Sequence, residues 1–155
     1  MATPTRRIAR ETALQILYRF DVPVASAGTP TEKPAATAPE GAALSSALAR
    51  HFEHFQVSPP AREFAAELVA GTLRFLTEID ASLEKHAQNW KLGRMSAIDR
   101  NLLRMASFEL THLTDIPAKV TIDEAVELAK AFGTADSASF VNGVLDAIRK
   151  ATGRE

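Results

Sequence analysis

The sequence contains no cysteine among its 155 residues, which excludes disulfide bonds, thiolate metal sites and cysteine nucleophiles. Aromatic residues are few, with one tryptophan, one tyrosine and eight phenylalanines. No apolar run approaches the roughly 18 to 20 residues that a membrane-spanning helix needs, and the N-terminus lacks the apolar core of a secretory signal. These absences predict a protein of the reducing cytoplasm that has no membrane partner.

Neither sign of charge dominates the chain, because 18 basic and 19 acidic side chains give a formal net charge of −1. A protein whose whole surface binds polyanions would carry a clear positive excess. Any nucleic-acid site must therefore come from a local concentration of basic residues. The apolar content of 46% suffices for one compact domain, which is predicted to span residues 1–155.

Signatures of the common enzyme classes are also absent, since the chain has no G-x-G-x-x-G, no phosphate-binding P-loop and no G-x-S-x-G. His51 and His54 are the only close pair of histidines, and no third ligand accompanies them as metal hydrolases require. We interpret Asp123, Glu124 and Glu127 as carboxylates that satisfy the N-terminus of a helix rather than as an acid/base pair. No catalysis, metal ion or cofactor is expected.

Apolar residues recur at helical spacing along most of the chain and no strand alternation is evident, so the predicted fold class is all-α. The stretch 22–41 holds four prolines among small residues and is predicted to be a flexible linker. The predicted helices cover residues 3–21, 42–55, 61–88 as one helix or two, 97–113, 122–132 and 136–150.

Capping boxes are predicted at the starts of two of these helices. Ser96 with Asp99 forms one box, and Thr121 with Glu124 forms the other, which an adjoining hydrophobic staple would support. Gly133 is expected to stop the second of these helices.

A marked local excess of positive charge lies in the first helix. Residues 1–20 contain four arginines against the single acid Glu11, a formal charge of +3. Arg6 and Arg7 fall in or near the first helical turn, where an exposed cation opposes the macrodipole at a cost of about 0.3–1 kcal/mol. A bound polyanion would rationalise this exception to the usual charge distribution of helices.

At 100° per residue, Arg7, Gln15 and Tyr18 share a solvent-facing stripe with Glu11, and Arg10 is placed on its edge. This order suits single-stranded RNA, because guanidinium groups hold phosphates while a phenol and an amide meet unpaired bases. A solvated helix face with Tyr18 half packed on its neighbours explains the pattern equally well. A membrane-surface helix is disfavoured, because the opposite face is rich in alanine and lacks large apolar anchors.

Four segments resemble, in order and spacing, the NusB family of bacterial transcription antitermination factors: RRIARETALQILY from Arg6, DRNLLRMASFEL from Asp99, IPAKVTIDEAVELAKAFG from Ile116 and FVNGVLDAI from Phe140. The resemblance covers nearly the whole chain except the linker. It implies an all-helical fold of two small, roughly perpendicular bundles with no catalytic activity. It also implies binding of the boxA element of nascent ribosomal RNA jointly with NusE, a protein also found in the small ribosomal subunit, within an RNA polymerase antitermination complex.

The family's arginine-rich motif falls on Arg6, Arg7 and Arg10, and its tyrosine contact falls on Tyr18. The resemblance therefore assigns RNA binding to the same side chains that the charge pattern selected. Ile8 interrupts what is often an unbroken arginine run in this family, which predicts a weaker basic patch.

The family's RNA-proximal loop and helix start correspond to residues 133–140, so Asp136 and Phe140 are candidates at the edge of the RNA surface. A carboxylate beside phosphates weakens binding, and Asp136→Asn is therefore predicted to tighten it. The helical phase of Phe140 favours core packing over RNA contact. Asn142 lies on the outer face of the same helix and is included as an RNA-binding candidate.

Asp99 and Arg100 match a family position that is associated with the NusE-containing complex, although helix capping is a sufficient structural explanation.

Two other functions remain open. Domains similar to NusB occur in RNA cytosine methyltransferases, but 155 residues leave no room for a cofactor-binding α/β domain. A homodimeric scaffold that hides the basic stripe and binds only protein is the second alternative.

Overall fold

The structure is a computed structural model that describes residues 3–24, 39–87 and 90–154. Within these ranges the secondary structure is entirely helical, which confirms the all-α prediction. Of the described helices, none is both long and apolar enough to cross a membrane. The seven α-helices are α1 (Pro4–Phe20), α2 (Gly41–His54), α3 (Pro59–Arg74), α4 (Leu76–His86), α5 (Ala97–His112), α6 (Ala118–Phe132) and α7 (Ser137–Ala151), with a 3₁₀ turn at Leu92–Arg94.

Local signals account for several helix boundaries. Thr3 caps α1 by accepting a hydrogen bond from the Arg6 N–H at 3.2 Å, with a proline in the first turn. Ser96 caps α5 in the same way, through the Asp99 N–H at 3.1 Å. The region predicted as one helix or two is two, because the chain bends at Phe75 between α3 and α4.

Gly133 ends α6 as predicted, and its N–H donates to the carbonyl oxygen of Ala129 at 2.9 Å. A Cβ at this position would lie 2.7 Å from that oxygen and would also collide with the side chain of Ser137. Glycine therefore permits the tight connection between α6 and α7.

The predicted start of α6 is wrong. This helix begins at Ala118, so Thr121 and Glu124 lie inside it rather than at its cap. The Thr121 hydroxyl donates to Glu109 on α5 at 2.9 Å, and Glu124 accepts hydrogen bonds from Arg7 on α1. The two residues have the spacing of a capping box, but each side chain hydrogen-bonds to a partner on a neighbouring helix instead.

The helices form two groups that meet at α5. In the first group α1 and α2 pack on α3, and in the second α6 and α7 pack on each other while α4 contacts α7. Helices α1, α3, α4, α6 and α7 all contact α5, in which every residue from Asn101 to Leu110 is buried. The perpendicular arrangement of two bundles that the family resemblance implies stays a prediction.

Polar contacts fasten the C-terminal end of α1 to α5. Asp21 accepts bidentate hydrogen bonds from Arg100 at 2.7 and 2.8 Å and a further one from Asn101 at 3.0 Å. Buried Arg104 donates to the carbonyl oxygen of Val22 at 2.8 Å. Burial alone disfavours the charge of Asp21, but these donors outweigh it and hold the pKa of Asp21 below its usual value.

Most of the predicted linker, residues 25–38, lies outside the described residues. The described residues 22–24 and 39–40 of that stretch are not helical, but its last residue, Gly41, begins α2 and was wrongly assigned to the linker. On α2, Leu48 and Phe52 are buried as the apolar pattern predicted, but Phe55 is 55% exposed.

Candidate nucleic-acid interface

Arg7 has the exposed guanidinium that the first-helix pattern predicted. Its side chain is 60% exposed, while Nε and Nη2 donate to the Glu124 carboxylate at 3.2 and 3.0 Å. These hydrogen bonds and the charge of Glu124 raise the pKa of Arg7 above its usual value. Within the described ranges Nη1 has no hydrogen-bond partner, so it can donate to a phosphate while the pair with Glu124 persists.

Arg6 lies beside this pair and is half-buried. Its guanidinium carbon is 4.8 Å from the centroid of the Phe64 ring, close enough for a cation–π contact. It forms no ion pair with any residue that the structure describes. Among the described residues, nothing therefore compensates its positive charge at the N-terminal end of α1.

The placement of Arg10 on the edge of the solvent-facing stripe is wrong. Arg10 is only 1% exposed, and its Nε donates to both oxygens of Glu109 at 3.0 and 3.2 Å, with Nη2 close to one of them. A buried carboxylate requires a partner, and Arg10, at the border of the apolar face of α1, pairs with Glu109. An acidic residue at position 109, inside the apolar stretch of α5, was the sequence signal that a buried cation was needed.

The remaining outer face of α1 agrees with the stripe predicted from helical spacing. Gln15 is exposed and Tyr18 is 49% exposed, while Glu11 is half-buried. We call the surface formed by Arg6, Arg7, Gln15 and Tyr18 the α1 outer face. It presents two cations, an amide and an aromatic ring on one helix.

A second candidate region surrounds the start of α7. Asp136 and Asn142 are exposed there, whereas Phe140 is half-buried, so its ring is only partly in the core and only partly accessible. Its ring centroid lies 6.3 Å from that of Trp90, in an edge-to-face arrangement, and Trp90 is 57% exposed. Sequence reasoning used Trp90 only as a boundary marker, although an exposed tryptophan flanked by basic Lys91 was a usable signal.

Asp99 and Arg100, the predicted contacts for the NusE-containing complex, lie at the start of α5. Arg100 forms hydrogen bonds within the protein. The Arg100 guanidinium is occupied by Asp21 and by the carbonyl oxygens of Leu92 and Met95. Asp99 is half-buried, and its Oδ1 is itself buried with no hydrogen-bond partner among the described residues. Asp99 therefore has fewer internal contacts than Arg100, but this oxygen is not accessible to a donor from another protein.

His51 and His54 do not belong to a larger set of metal-binding side chains. No group of three or more potential metal ligands occurs in the part of the chain that the structure describes. His51 is buried and its ring packs against Phe55, with centroids 4.5 Å apart.

The NusB family model matches residues 7–150, and the chain belongs to this all-helical family. The transcription antitermination protein NusB of Myxococcus xanthus is 46% identical over 92% of this chain and 93% of its own length. The NusB of Desulfotalea psychrophila is 45% identical over 93% of this chain and 94% of its own.

Solved structures of the family have the same fold. The chain matches NusB from T. maritima with a TM-score of 0.71 and 32% identity, over 97% of this chain and 93% of that one. It matches a chain in the crystal structure of the antitermination factors NusB and NusE in complex with dsRNA with a TM-score of 0.75 and 29% identity, over 97% and 99% of the two chains.

Proposed function

We propose that this protein is a transcription antitermination factor that binds boxA-type single-stranded RNA together with NusE in the cytoplasm. Binding alone carries this function, and no catalytic step is involved. The complex of RNA, NusE and this protein would then act on RNA polymerase during ribosomal RNA transcription.

The α1 outer face is the observation that carries the proposal. Arg6 has an uncompensated charge, and Arg7 keeps Nη1 available beside the Glu124 pair. Two guanidinium groups next to an exposed amide and phenol suit a strand whose phosphates and unpaired bases are both accessible. Arg10 is not part of this surface, because its guanidinium is buried and neutralised.

The region around the start of α7 supports an extended RNA surface. Phe140 and Asn142 offer a partly exposed ring and an amide, and Asp136 places a carboxylate beside them that would weaken phosphate binding. Asp99 and Arg100, at the start of α5, mark the proposed contact region for NusE. The related crystal structure of NusB and NusE in complex with dsRNA supports NusE and RNA as the partners.

Of the two other functions, the methyltransferase module is less well supported. The antitermination relatives are matched over 93% and 94% of their own length, so they are proteins of similar size to this chain. A homodimer that hides the α1 outer face remains testable by sedimentation, because added RNA would then leave the dimer unchanged.

The experiment is a titration of boxA RNA with wild-type protein and the double variant Arg6→Ala/Arg7→Ala, with and without NusE, over a range of salt concentrations. Loss of two phosphate contacts should flatten the dependence of log K on log salt by about 1.4, at about 0.7 per contact to a single strand. The control Arg74→Ala/Lys85→Ala removes the same charge from other exposed positions. An unchanged slope in the first variant would refute the proposed surface.

A further inference from the structure

A groove of about 770 Å³ opens between the C-terminal halves of α1 and α2, away from the helices that Arg7 and Arg10 contact. Its basic side chains are Arg19, Arg50 and His54, and no carboxylate lines it among the residues that the structure describes. The complete described lining is Gln15, Ile16, Arg19, Phe20, Ala47, Arg50, His51, His54 and Phe55. The groove is therefore basic in a chain whose overall charge is slightly negative.

His51 lines this groove with unused hydrogen-bonding capacity. The residue is 4% exposed, and both ring nitrogens are buried with no partner in the described parts of the chain. Burial, together with the nearby charges of Arg19 and His54, lowers the pKa of His51 below its usual value. A neutral imidazole offers one donor and one acceptor, and buried polar groups of this kind normally have partners.

Phe55 provides an aromatic surface at the same groove. Its ring is 55% exposed and lies 4.5 Å from the ring of His51 and 4.8 Å from that of His54, centroid to centroid. The core does not use this ring, although the helical pattern of α2 predicted that it would. An exposed ring beside cations is a common platform for an unpaired base.

The groove is continuous with the α1 outer face. Gln15 belongs to both surfaces, and Arg19 directly follows Tyr18 on the exposed side of α1. A strand that passes Tyr18 can therefore enter the groove without crossing an acidic region of the described lining.

We propose that the α1–α2 groove is a second binding segment for the same RNA, taking unpaired nucleotides that flank the part bound by the α1 outer face. Arg19 and Arg50 hold phosphates, and Phe55, whose ring packs against the buried ring of His51, stacks on a base. This proposal rests on the proposed function. An acidic protein segment would use the two arginines but would leave the exposed aromatic ring without a role.

The test compares a minimal boxA RNA with the same RNA extended at both ends by several unpaired nucleotides. Wild-type protein should bind the extended RNA more tightly and with a steeper salt dependence. The variant Arg19→Gln/Arg50→Gln should lose this gain, with a slope reduced by about 1.4 on the extended RNA, and should bind the minimal RNA as the wild type does. The variant Lys85→Gln/Arg94→Gln is the matched control.

A second measurement follows the imidazole resonances of His51 by nuclear magnetic resonance, which should shift with the extended RNA and not with the minimal one. Equal affinity of wild-type protein for both RNAs, or an Arg19→Gln/Arg50→Gln variant equal to wild type on the extended RNA, would overturn the groove proposal. If wild-type protein binds neither RNA, with or without NusE, the proposed function itself fails. Normal binding of the minimal RNA without any gain on extension would overturn the groove alone.

Discussion

Arg7 on α1 and Glu124 on α6 form a two-pronged ion pair that joins the two halves of the molecule, with N–O distances of 3.0 and 3.2 Å. The carboxylate is largely buried at 7% side-chain exposure, whereas the guanidinium is 60% exposed. A phosphate that approaches Arg7 therefore meets a cation that an internal anion already neutralises in part. The pair fixes the orientation of Arg7 and at the same time reduces its attraction for RNA.

Replacement of Glu124 by glutamine should strengthen RNA binding. Glutamine has a similar shape but no charge, so Arg7 regains its full attraction for phosphate, and the salt dependence of log K should steepen by up to about 0.7. Filter binding at several salt concentrations measures this slope. Glu78→Gln, on an exposed position of α4, removes the same charge elsewhere as a control. Weaker binding by Glu124→Gln would show that positioning of Arg7 matters more than its net charge.

Arg10→Met should destabilise the fold without a direct effect on RNA affinity. It leaves the Glu109 carboxylate buried without its cation, and breaking a buried pair in this way costs about 3–5 kcal/mol of unfolding free energy. Urea unfolding measures the loss, and RNA titration of the folded variant tests the second part. The double variant Arg10→Met/Glu109→Gln should recover part of the stability. A stable Arg10→Met protein with reduced RNA affinity would return Arg10 to the binding surface.

Tyr18→Ala should weaken RNA binding by about 1–3 kcal/mol if the exposed ring stacks on a base. Tyr18→Phe preserves the ring and removes the hydroxyl, so it should bind nearly as well as the wild type. The two variants together separate stacking from hydrogen bonding in a filter-binding assay. Wild-type affinity of Tyr18→Ala would remove this residue from the site.

Acidification should destabilise the protein through His51. Because the pKa of His51 is lower in the folded protein than the ordinary value of 6.5, the unfolded chain binds a proton more readily. This contribution to stability is complete above the ordinary value and declines as the pH falls below it, with a slope of at most about 1.4 kcal/mol per pH unit. Urea unfolding across this range measures the slope, which His51→Phe should flatten relative to wild type. His86→Gln serves as the control on another helix.

Helical periodicity located every α-helix of the described chain, because each one buries an apolar stripe. It misplaced Arg10 because a helical wheel assigns a residue at the border of that stripe by its own polarity. The wheel does not include Glu109, which lies 99 positions further along the chain and holds the guanidinium inside. The spacing of Thr121 and Glu124 gave a wrong start for α6 for the same reason, since the partners of these side chains are on other helices.

The groove between α1 and α2 could not be predicted from local patterns. It depends on how α1 and α2 are placed beside each other on α3, which leaves Phe55 outside the core and encloses His51. The sequence did place Gln15 and Tyr18 correctly on the exposed side of α1, because an isolated helix already determines that face. Apolar stripes and exposed helix faces were therefore predicted well, whereas polar side chains that pair between helices, and the helix–helix groove, were not.

The attachment of Asp21 and Val22 to α5 has a practical consequence for protein engineering. Because Arg100 and Arg104 hold the end of α1 from a different helix, the position of α1 does not depend on the length of the chain that follows it. Residues 25–38 are thus a suitable point for inserting an affinity tag or a fluorescent label. Such an insertion would give a reporter for complex assembly whose attachment leaves the first helix in register.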